Sequence, residues 1–251
     1  MGRKNITRKT RTKTKAKIEK YKEDAKNGDA DAQCILGGML YHGEGVKKNV
    51  KEAVRLLDLS AKQGNARAQL FLGYMFDNGK GVRENKKEAV KLYRLSAKQG
   101  NARAQNSLGV MYHNGQGVKR NYKEAKRFFR LSAKQGNARA HSNLGIMYNN
   151  GQGVKRNYKE AIRLYRISAK QGDADAQNNL AHMLYRGRGV AQDYKEAARL
   201  YRLSAKQGNA RAHSNLGIMY NNGQGVRQNK KEAKRFFRLS AKTLRKSRSK
   251  K

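Results

Sequence analysis

The sequence of 251 residues contains no proline and a single cysteine, and acidic residues are few. Without proline, its turns depend on glycine, which adopts left-handed backbone conformations at little steric cost. The lone Cys34 excludes an internal disulfide and is typical of reducing compartments. No apolar run approaches the roughly 20 residues that a helix needs to cross a bilayer. The basic amino-terminal residues are followed by no hydrophobic stretch, so we expect no secretory signal. We therefore expect a soluble, intracellular, monomeric protein, either cytoplasmic or nuclear.

The shortage of acidic residues leaves a large positive charge. Lysine and arginine together number 58 against 18 aspartates and glutamates, which gives a formal net charge of +40 at pH 7. A charge of this size produces self-repulsion and attracts polyanions. It is either a functional property or a property of a lysine-rich composition.

Glycine, in contrast, is frequent and recurs at a fixed period. Six glycines lie 36 residues apart, at Gly28, Gly64, Gly100, Gly136, Gly172 and Gly208. A period in the range of roughly 20 to 50 residues is the signature of a solenoid. The repeat therefore has to be interpreted before any shorter motif.

Residues 100–135 show the first half of the repeated unit. A first helix over residues 102–114 is predicted by small and apolar residues at helical spacing: Ala102, Ala104, Leu108, Gly109, Met111 and Tyr112. The helix should end at Asn114-Gly115, because glycine readily takes the left-handed conformation after a last turn. Residues 115–118 form the turn, and Val118 should pack inward.

The second half of the unit is a second helix that starts at Asn121. Glu124 lies three residues on, which is a variant of the capping box, where each side chain satisfies a free backbone N–H. The helix should bury one face, made of Ala125, Phe128, Phe129, Ser132 and Ala133. One such hairpin cannot bury its apolar face alone, but stacked neighbours can.

The recurring residues resemble a known family. Ala-x-Ala-Gln-x-x-Leu-Gly-x-Met-Tyr, then Gly-x-Gly-Val, then Lys-Glu-Ala with an aromatic pair and Ser-Ala-Lys-x-Gly are similar to Sel1-like repeats, which are relatives of the tetratricopeptide repeat. The resemblance covers about residues 16 to 243. It implies an all-α, right-handed α/α superhelix that binds other proteins as an adaptor or scaffold. The secreted branch of the family staples each repeat with a cysteine pair, and this chain departs from that branch.

The predicted organisation follows from the repeat. Residues 1–15 are predicted to be a basic disordered tail and residues 16–27 a capping helix. Six repeats follow, at 28–63, 64–99, 100–135, 136–171, 172–207 and 208–243. Residues 244–251 are predicted to be a second basic disordered tail.

Catalytic motifs are scarce in this sequence. The five histidines fall at different places in the repeat and never at metal-ligand spacing: His42, His113, His141, His182 and His213. The Gly-x-Gly of each turn lacks the Gly-Lys-Ser/Thr of a phosphate loop, and helix-turn geometry explains it better. We therefore expect no enzyme, no metal and no cofactor.

The resemblance points to the first helices as the partner-binding surface, since in related superhelices they line the concave groove. The predicted contacts are Asn106, Ser107, Val110, His113, Asn114, Asn143, Ile146, Asn149, Asn179, His182, Tyr185, Asn215 and Ile218. The alternative is an unconstrained surface. Concave solenoid faces commonly serve binding.

The second helices carry a basic stripe. Lys123, Arg127, Arg130 and Lys134 share one helix face by their spacing, and Lys159, Arg163, Arg166 and Lys170 repeat the pattern. The stripe is either a solvated outer face or a surface for an acidic protein, a nucleic acid or an anionic membrane. Since the aromatic residues lie at core spacing, any nucleic-acid binding would be phosphate-driven and indifferent to sequence.

Overall fold

The structure, a computed structural model, describes residues 15–248, with side chains described as far as residue 246. Within that range the chain forms thirteen helices and no strand. Residues 1–14 of the tail predicted at residues 1–15, and the last three residues of the chain, lie outside the described part.

Helix α1 spans residues 15–26, and the others follow as pairs. The first helices of the six repeats are α2 (Ala30–His42), α4 (Ala66–Asn78), α6 (Ala102–Asn114), α8 (Ala138–Asn150), α10 (Ala174–Arg186) and α12 (Ala210–Asn222). The second helices are α3 (Val50–Lys62), α5 (Lys86–Lys98), α7 (Tyr122–Lys134), α9 (Tyr158–Lys170), α11 (Tyr194–Lys206) and α13 (Lys230–Arg248).

The chain forms two compact units, up to residue 128 and from residue 129. In the first unit, α2 packs on α3, α3 on α4, α4 on α5 and α5 on α6. In the second unit the same succession runs from α8 to α13. Consecutive helix pairs therefore pack as a solenoid, as the period predicts.

Each repeat buries one face of both helices, with small residues where the helices meet. In α6, Ala104 and Leu108 are fully buried and Met111 nearly so. Tyr112 is half-buried and packs against the core. The expected burial of Ala102 is wrong, because Ala102 is half-exposed, while Gln105 is buried. In α7, Ala133 is likewise half-exposed. Val118 is half-buried against the core, as predicted.

The turn glycines are required by close packing. Gly115 caps α6 in the left-handed conformation with φ 72°. Gly117 also has positive φ, and a Cβ there would collide with the carbonyl oxygen of Lys86 at the start of α5. The Gly-x-Gly pattern is thus explained by the fit of the turn against the preceding second helix.

The capping box is only half formed. The Asn157 side chain accepts a hydrogen bond from the Glu160 N–H at 3.0 Å, as predicted. The backbone N–H of Asn157 instead donates to the Tyr148 carbonyl of the preceding helix. The Glu160 side chain is therefore not needed to accept the backbone N–H of Asn157, and it pairs with Arg163 instead.

A ladder of glutamines links successive repeats in the first unit. Gln69 donates to the carbonyl oxygen of Ala61 at 3.1 Å and accepts from Gln99 at 2.9 Å. The same two bonds occur at Gln33, which bonds Ala25 and Gln63. Gln33 and Gln69 are buried and Gln63 and Gln99 are exposed. Because the two buried amides are hydrogen-bonded, the ladder leaves neither of them unsatisfied in the core.

The two ends of the described chain differ from the inner repeats. Helix α1 buries Ile18 and Ala25, and Ala25 packs with Ala32 and Leu36 of α2 and Leu56 of α3. At the other end, α13 continues to Arg248, so the prediction of disorder from residue 244 is wrong for residues 244–248. After each earlier second helix, from α3 to α11, a glycine follows the last helical residue by two positions. Leu244 occupies the equivalent position after Lys242, so the glycine that would end the helix is replaced by a leucine.

Candidate protein-binding surface

Charged residues are segregated between the two helices of each repeat. In the first helices, every Asp, Glu, Lys and Arg lies within two residues of a helix end, as Arg139 does in α8 and Asp175 and Arg186 do in α10. The predicted partner contacts contain no charged residue, although some of them, such as Asn114 and Tyr185, also lie at a helix end. We call this set of thirteen predicted residues the first-helix face.

In the first unit, the first-helix face is contributed by α6. Asn106, Ser107, Val110 and His113 are half-exposed, and Asn114 is exposed. His113 lies against Tyr122 with ring centroids 5.3 Å apart. These side chains are therefore partly in contact with solvent and partly packed against the fold.

The same unit holds an aromatic cluster that the sequence analysis missed. Tyr41 and Phe71 meet edge to face at 5.1 Å, and His42 stacks on Phe71 at 6.0 Å. Tyr74, on the same first helix as Phe71, is 42% exposed. Only a comparison of α2 with α4 in register could have revealed this cluster, because the residues lie about 30 positions apart.

In the second unit, hydrogen bonds join the first helices to one another. Asn215 of α12 donates to the Oδ1 atom of Asn178 of α10 at 3.2 Å. Tyr185 donates to Gln224 at 2.7 Å and meets Tyr194 edge to face. These bonds hold the amide and aromatic side chains of neighbouring repeats in fixed positions.

The apolar members of this face differ in exposure. Ile146 is half-buried and packs against the core, whereas Ile218 is 40% exposed. Asn143, Asn149, Asn179 and His182 are half-exposed. Burial, with the charges of Arg186 and Arg188, lowers the pKa of His182, so its ring is held neutral.

The basic stripe lies on the exposed side of the second helices. All of its predicted members are exposed, on both α7 and α9. The arginine at the second stripe position is ion-paired in each case, since Arg127 meets Glu124 at 2.9 Å and Arg163 meets Glu160 at 2.7 Å. These hydrogen bonds lower the pKa of Glu160, which keeps the carboxylate ionised beside its arginine.

The third basic position of the stripe contacts the next repeat. Arg130 donates to the Tyr148 hydroxyl at 3.4 Å, and Arg202 donates to the Tyr220 hydroxyl at 3.2 Å. From the sequence, Arg130 was predicted to face solvent or a ligand. Part of the stripe is therefore engaged within the fold.

The histidines and the cysteine form no chemical centre in the described residues. No group of three metal-ligating side chains is found there. His141 bonds the backbone carbonyl of Asn137 at 3.0 Å, but the buried Nδ1 atom of His213 has no hydrogen bond of standard geometry. Burial raises the pKa of the Cys34 thiol, which disfavours the reactive thiolate.

In the part of the chain that the structure describes, no helix combines the length and apolar character that crossing a membrane requires.

The Sel1 repeat family model matches the chain six times, at residues 30–65, 66–101, 102–137, 138–173, 174–209 and 210–242. A crystal structure of a Sel1 repeat protein from Oxalobacter formigenes is similar at 32% identity and a TM-score of 0.82, covering 92% of this chain and 96% of that one. A protective antigen present in uropathogenic Escherichia coli strains, displaying an SLR fold, is similar at 36% identity and a TM-score of 0.76.

The alignment with that antigen covers 90% of this chain but 48% of the antigen, so this chain spans less than half of that protein's length. An immunity protein from Pseudomonas aeruginosa shares the fold at 21% identity and a TM-score of 0.58, covering 86% of this chain and 81% of that one. Among curated proteins, none matches this chain significantly.

Proposed function

Because the chain belongs to the Sel1 repeat family, whose solenoid fold generally mediates protein–protein interaction, we propose that it is a non-enzymatic scaffold that binds other proteins through its first-helix face. The observation that carries this proposal is the absence of charge on that face in a chain with a net charge of +40.

An uncharged face in such a chain has the composition of an interface core. The buried centre of a protein interface is depleted of charged residues and enriched in aromatic ones. Tyr185 and Ile218 supply apolar area, and the asparagine amides supply both donors and acceptors. None of the thirteen residues is a cation that could pair with a polyanion, although Arg186 lies over the Tyr185 ring at the end of α10. A protein partner therefore fits this face better.

The hydrogen bonds that α10 makes with α12 and with the turn after α12 support the proposal in a second way. They fix Asn178, Asn215 and Tyr185 before any partner arrives. Side chains that are already ordered lose less conformational entropy on binding. The face is therefore preorganised for recognition.

The test adds charge to this face. Asn179→Lys with Ile218→Lys places two lysines on half-exposed and exposed positions, where long side chains can keep their ammonium groups in water. The matched control, Lys159→Gln with Lys195→Gln, changes two exposed positions on the second helices. Partners are captured from lysate by each tagged protein after nuclease treatment and high salt, and then identified.

We expect the lysine variant to lose the partners that the control retains, with unchanged circular dichroism for both. Loss of the same partners from the control, or retention by the lysine variant, would contradict the proposal. The added charges are positive, so they would strengthen any binding of a polyanion. A loss of partners in the lysine variant would therefore point to protein binding and not to polyanion binding. Nucleic-acid binding by the basic stripe stays a prediction of the sequence.

A further inference from the structure

The arginine at the third stripe position has a tyrosine partner in three places within the two units. Arg94 donates to the Tyr112 hydroxyl at 2.9 Å, and Arg130 and Arg202 donate to Tyr148 and Tyr220. At Arg166 the residue 18 positions on is Leu184, which has no hydroxyl. The Arg166 side chain forms no hydrogen bond or ion pair within residues 15–246, and it is exposed.

A cleft of about 800 Å³ lies beside Arg166 in the second unit. Leu180 and Leu184 of α10 lie next to Leu200 and Leu203 of α11 along it, and Val190 lines it from the intervening turn. Leu203 is half-exposed, whereas the other three leucines are buried beneath the surface of the cleft. The cleft thus has an apolar lining that solvent can reach.

The next repeat shows what the cleft looks like with the usual residues. There a cleft of about 500 Å³ is lined by Arg202, Tyr220 and Arg227. These occupy the positions of Arg166, Leu184 and Ala191. The cleft beside Arg166 therefore has Leu184 and Ala191 where its counterpart has Tyr220 and Arg227. These smaller, apolar side chains make it larger and more apolar than its counterpart.

The rim of the larger cleft has an excess of one positive charge, because Arg166, Lys170 and Arg199 line it together with Asp193 and Glu196. Arg166 and Lys170 line it from α9. The acidic side chains that also line it are engaged within the fold. Asp193 accepts the Glu196 N–H at 2.9 Å, and Glu196 receives two hydrogen bonds of 2.7 Å from Arg199. The cations left for a ligand are therefore Arg166 and Lys170.

We propose that this cleft binds an acidic segment of a partner protein, in which a large apolar side chain enters between Leu184 and Leu203 and a neighbouring carboxylate pairs with Arg166. Arginine matches a carboxylate with two parallel hydrogen bonds, and burial of an aliphatic or aromatic side chain supplies the remaining affinity. The volume lies within the range of roughly 300–1,000 Å³ that ligand pockets show. The cleft lies outside the first-helix face, so this inference and the proposed function can fail separately.

The experiment selects short peptides from a displayed random library on the full chain, with counter-selection against Leu184→Tyr. Tyrosine occupies the equivalent positions 148 and 220, so this variant should fold while it fills the cleft and gives Arg166 its usual partner. We expect enrichment of peptides with a large apolar residue next to Asp or Glu. No enrichment over the counter-selected variant, or enrichment of sequences without acidic residues, would overturn the proposal.

The enriched peptide is then measured against single variants by fluorescence polarisation. We expect Arg166→Gln to weaken binding about tenfold, as loss of a charged anchor does, and Arg202→Gln at the neighbouring repeat to change it less than about twofold. Equal losses in both variants would mean general charge attraction and would overturn the assignment. Displacement of the peptide by dodecanoate at lower concentration than by unlabelled peptide would assign the cleft to an acyl anion and overturn the peptide assignment.

Discussion

The hydroxyl of Ser204 donates a 2.6 Å hydrogen bond to the carbonyl oxygen of Ala174, 30 residues earlier in the same repeat. Ser204 is fully buried. The same bond joins Ser96 to Ala66 at 2.6 Å and Ser168 to Ala138 at 2.8 Å. Each bond fixes the last turns of a second helix to the first residue of its partner helix.

We expect Ser204→Ala to destabilise the second unit by about 0.5–1.5 kcal/mol, the usual net contribution of an intramolecular hydrogen bond. The loss should appear as faster amide hydrogen exchange in α10 and α11. Ser214→Ala, at a half-exposed position of α12, is the control and should have little effect. Equal effects of the two substitutions would show that the Ser204 bond contributes nothing measurable.

The adjacent glycines Gly37 and Gly38 of α2 provide a matched pair for the packing of the first unit. A Cβ on Gly37 would lie 2.9 Å from Leu57 Cγ and 3.3 Å from the Ala53 carbonyl, whereas on Gly38 it would only touch Phe71 at 3.6 Å. We expect Gly37→Ala to destabilise by about 1–3 kcal/mol through overpacking. Gly38→Ala should instead stabilise by up to about 1 kcal/mol, because alanine favours helix.

Thermal unfolding followed by circular dichroism measures both glycine variants. The expected result is a lower midpoint for Gly37→Ala and an unchanged or higher midpoint for Gly38→Ala. A rise in the midpoint of both variants would show that helix propensity outweighs close packing at Gly37, and a fall in both would contradict the open space expected at Gly38.

His213 should make stability depend on pH. Burial lowers its pKa, and the backbone of Asn209 opposes the shift only in part. The unfolded chain therefore takes up a proton at this residue before the folded chain does, so the contribution of His213 is present above pH 6.5 and is lost as the pH falls through the lower folded value.

The measurement compares unfolding midpoints above and below pH 6.5 for the native chain and His213→Gln. Glutamine stands at the equivalent position in other repeats, where Gln177 donates to the Ala169 carbonyl. We expect a smaller fall in midpoint for the variant. The lowered pKa of His182 remains in both proteins, so part of the fall should persist. Identical falls in the two proteins would rule out His213 as the source.

The period of the sequence predicted the helix pairs and their turns because the signals are local. Asn114-Gly115 ends a helix by its own backbone preference, and Asn157 caps one by reaching three residues along the chain. The other half of the capping box, a hydrogen bond from the Asn157 N–H to the Glu160 side chain, was predicted wrongly. A competing acceptor, the Tyr148 carbonyl, comes from the packed neighbouring helix, and local spacing gives no information about it.

The hydrogen bonds between helices could not be predicted for the same reason. Ser204, Gln69 and Gln99 recur at fixed positions, which indicates a role, but their partners lie 8 or 30 residues away. The stripe was predicted in the correct place. Its internal pairing was missed, because whether Arg130 meets solvent or Tyr148 depends on how the next repeat packs.

The pairing of the stripe arginines within the fold allows a test of whether the stripe binds polyanions. A chain of this charge should bind duplex DNA at low salt, and the slope of log affinity against log salt scales with about 0.9 for each phosphate that the protein neutralises. Lys159 and Lys170 are exposed, whereas Arg163 is held by Glu160 through bonds of 2.8 and 2.7 Å. If DNA lies along α9, Lys159→Gln with Lys170→Gln should reduce the slope by up to about 1.8.

Glu160→Gln should act in the opposite direction, because it releases Arg163 to neutralise a further phosphate and so steepens the slope by about 0.9. Glu23→Gln in α1 makes the same charge change at an exposed position away from the stripe. It should leave the slope nearly unchanged, since the slope reflects neutralised phosphates rather than net charge. Equal slopes for the two glutamine variants would mean that Arg163 does not meet phosphate. Unchanged slopes in all variants would mean that the stripe on α9 is a solvated outer face, with its charge set by composition.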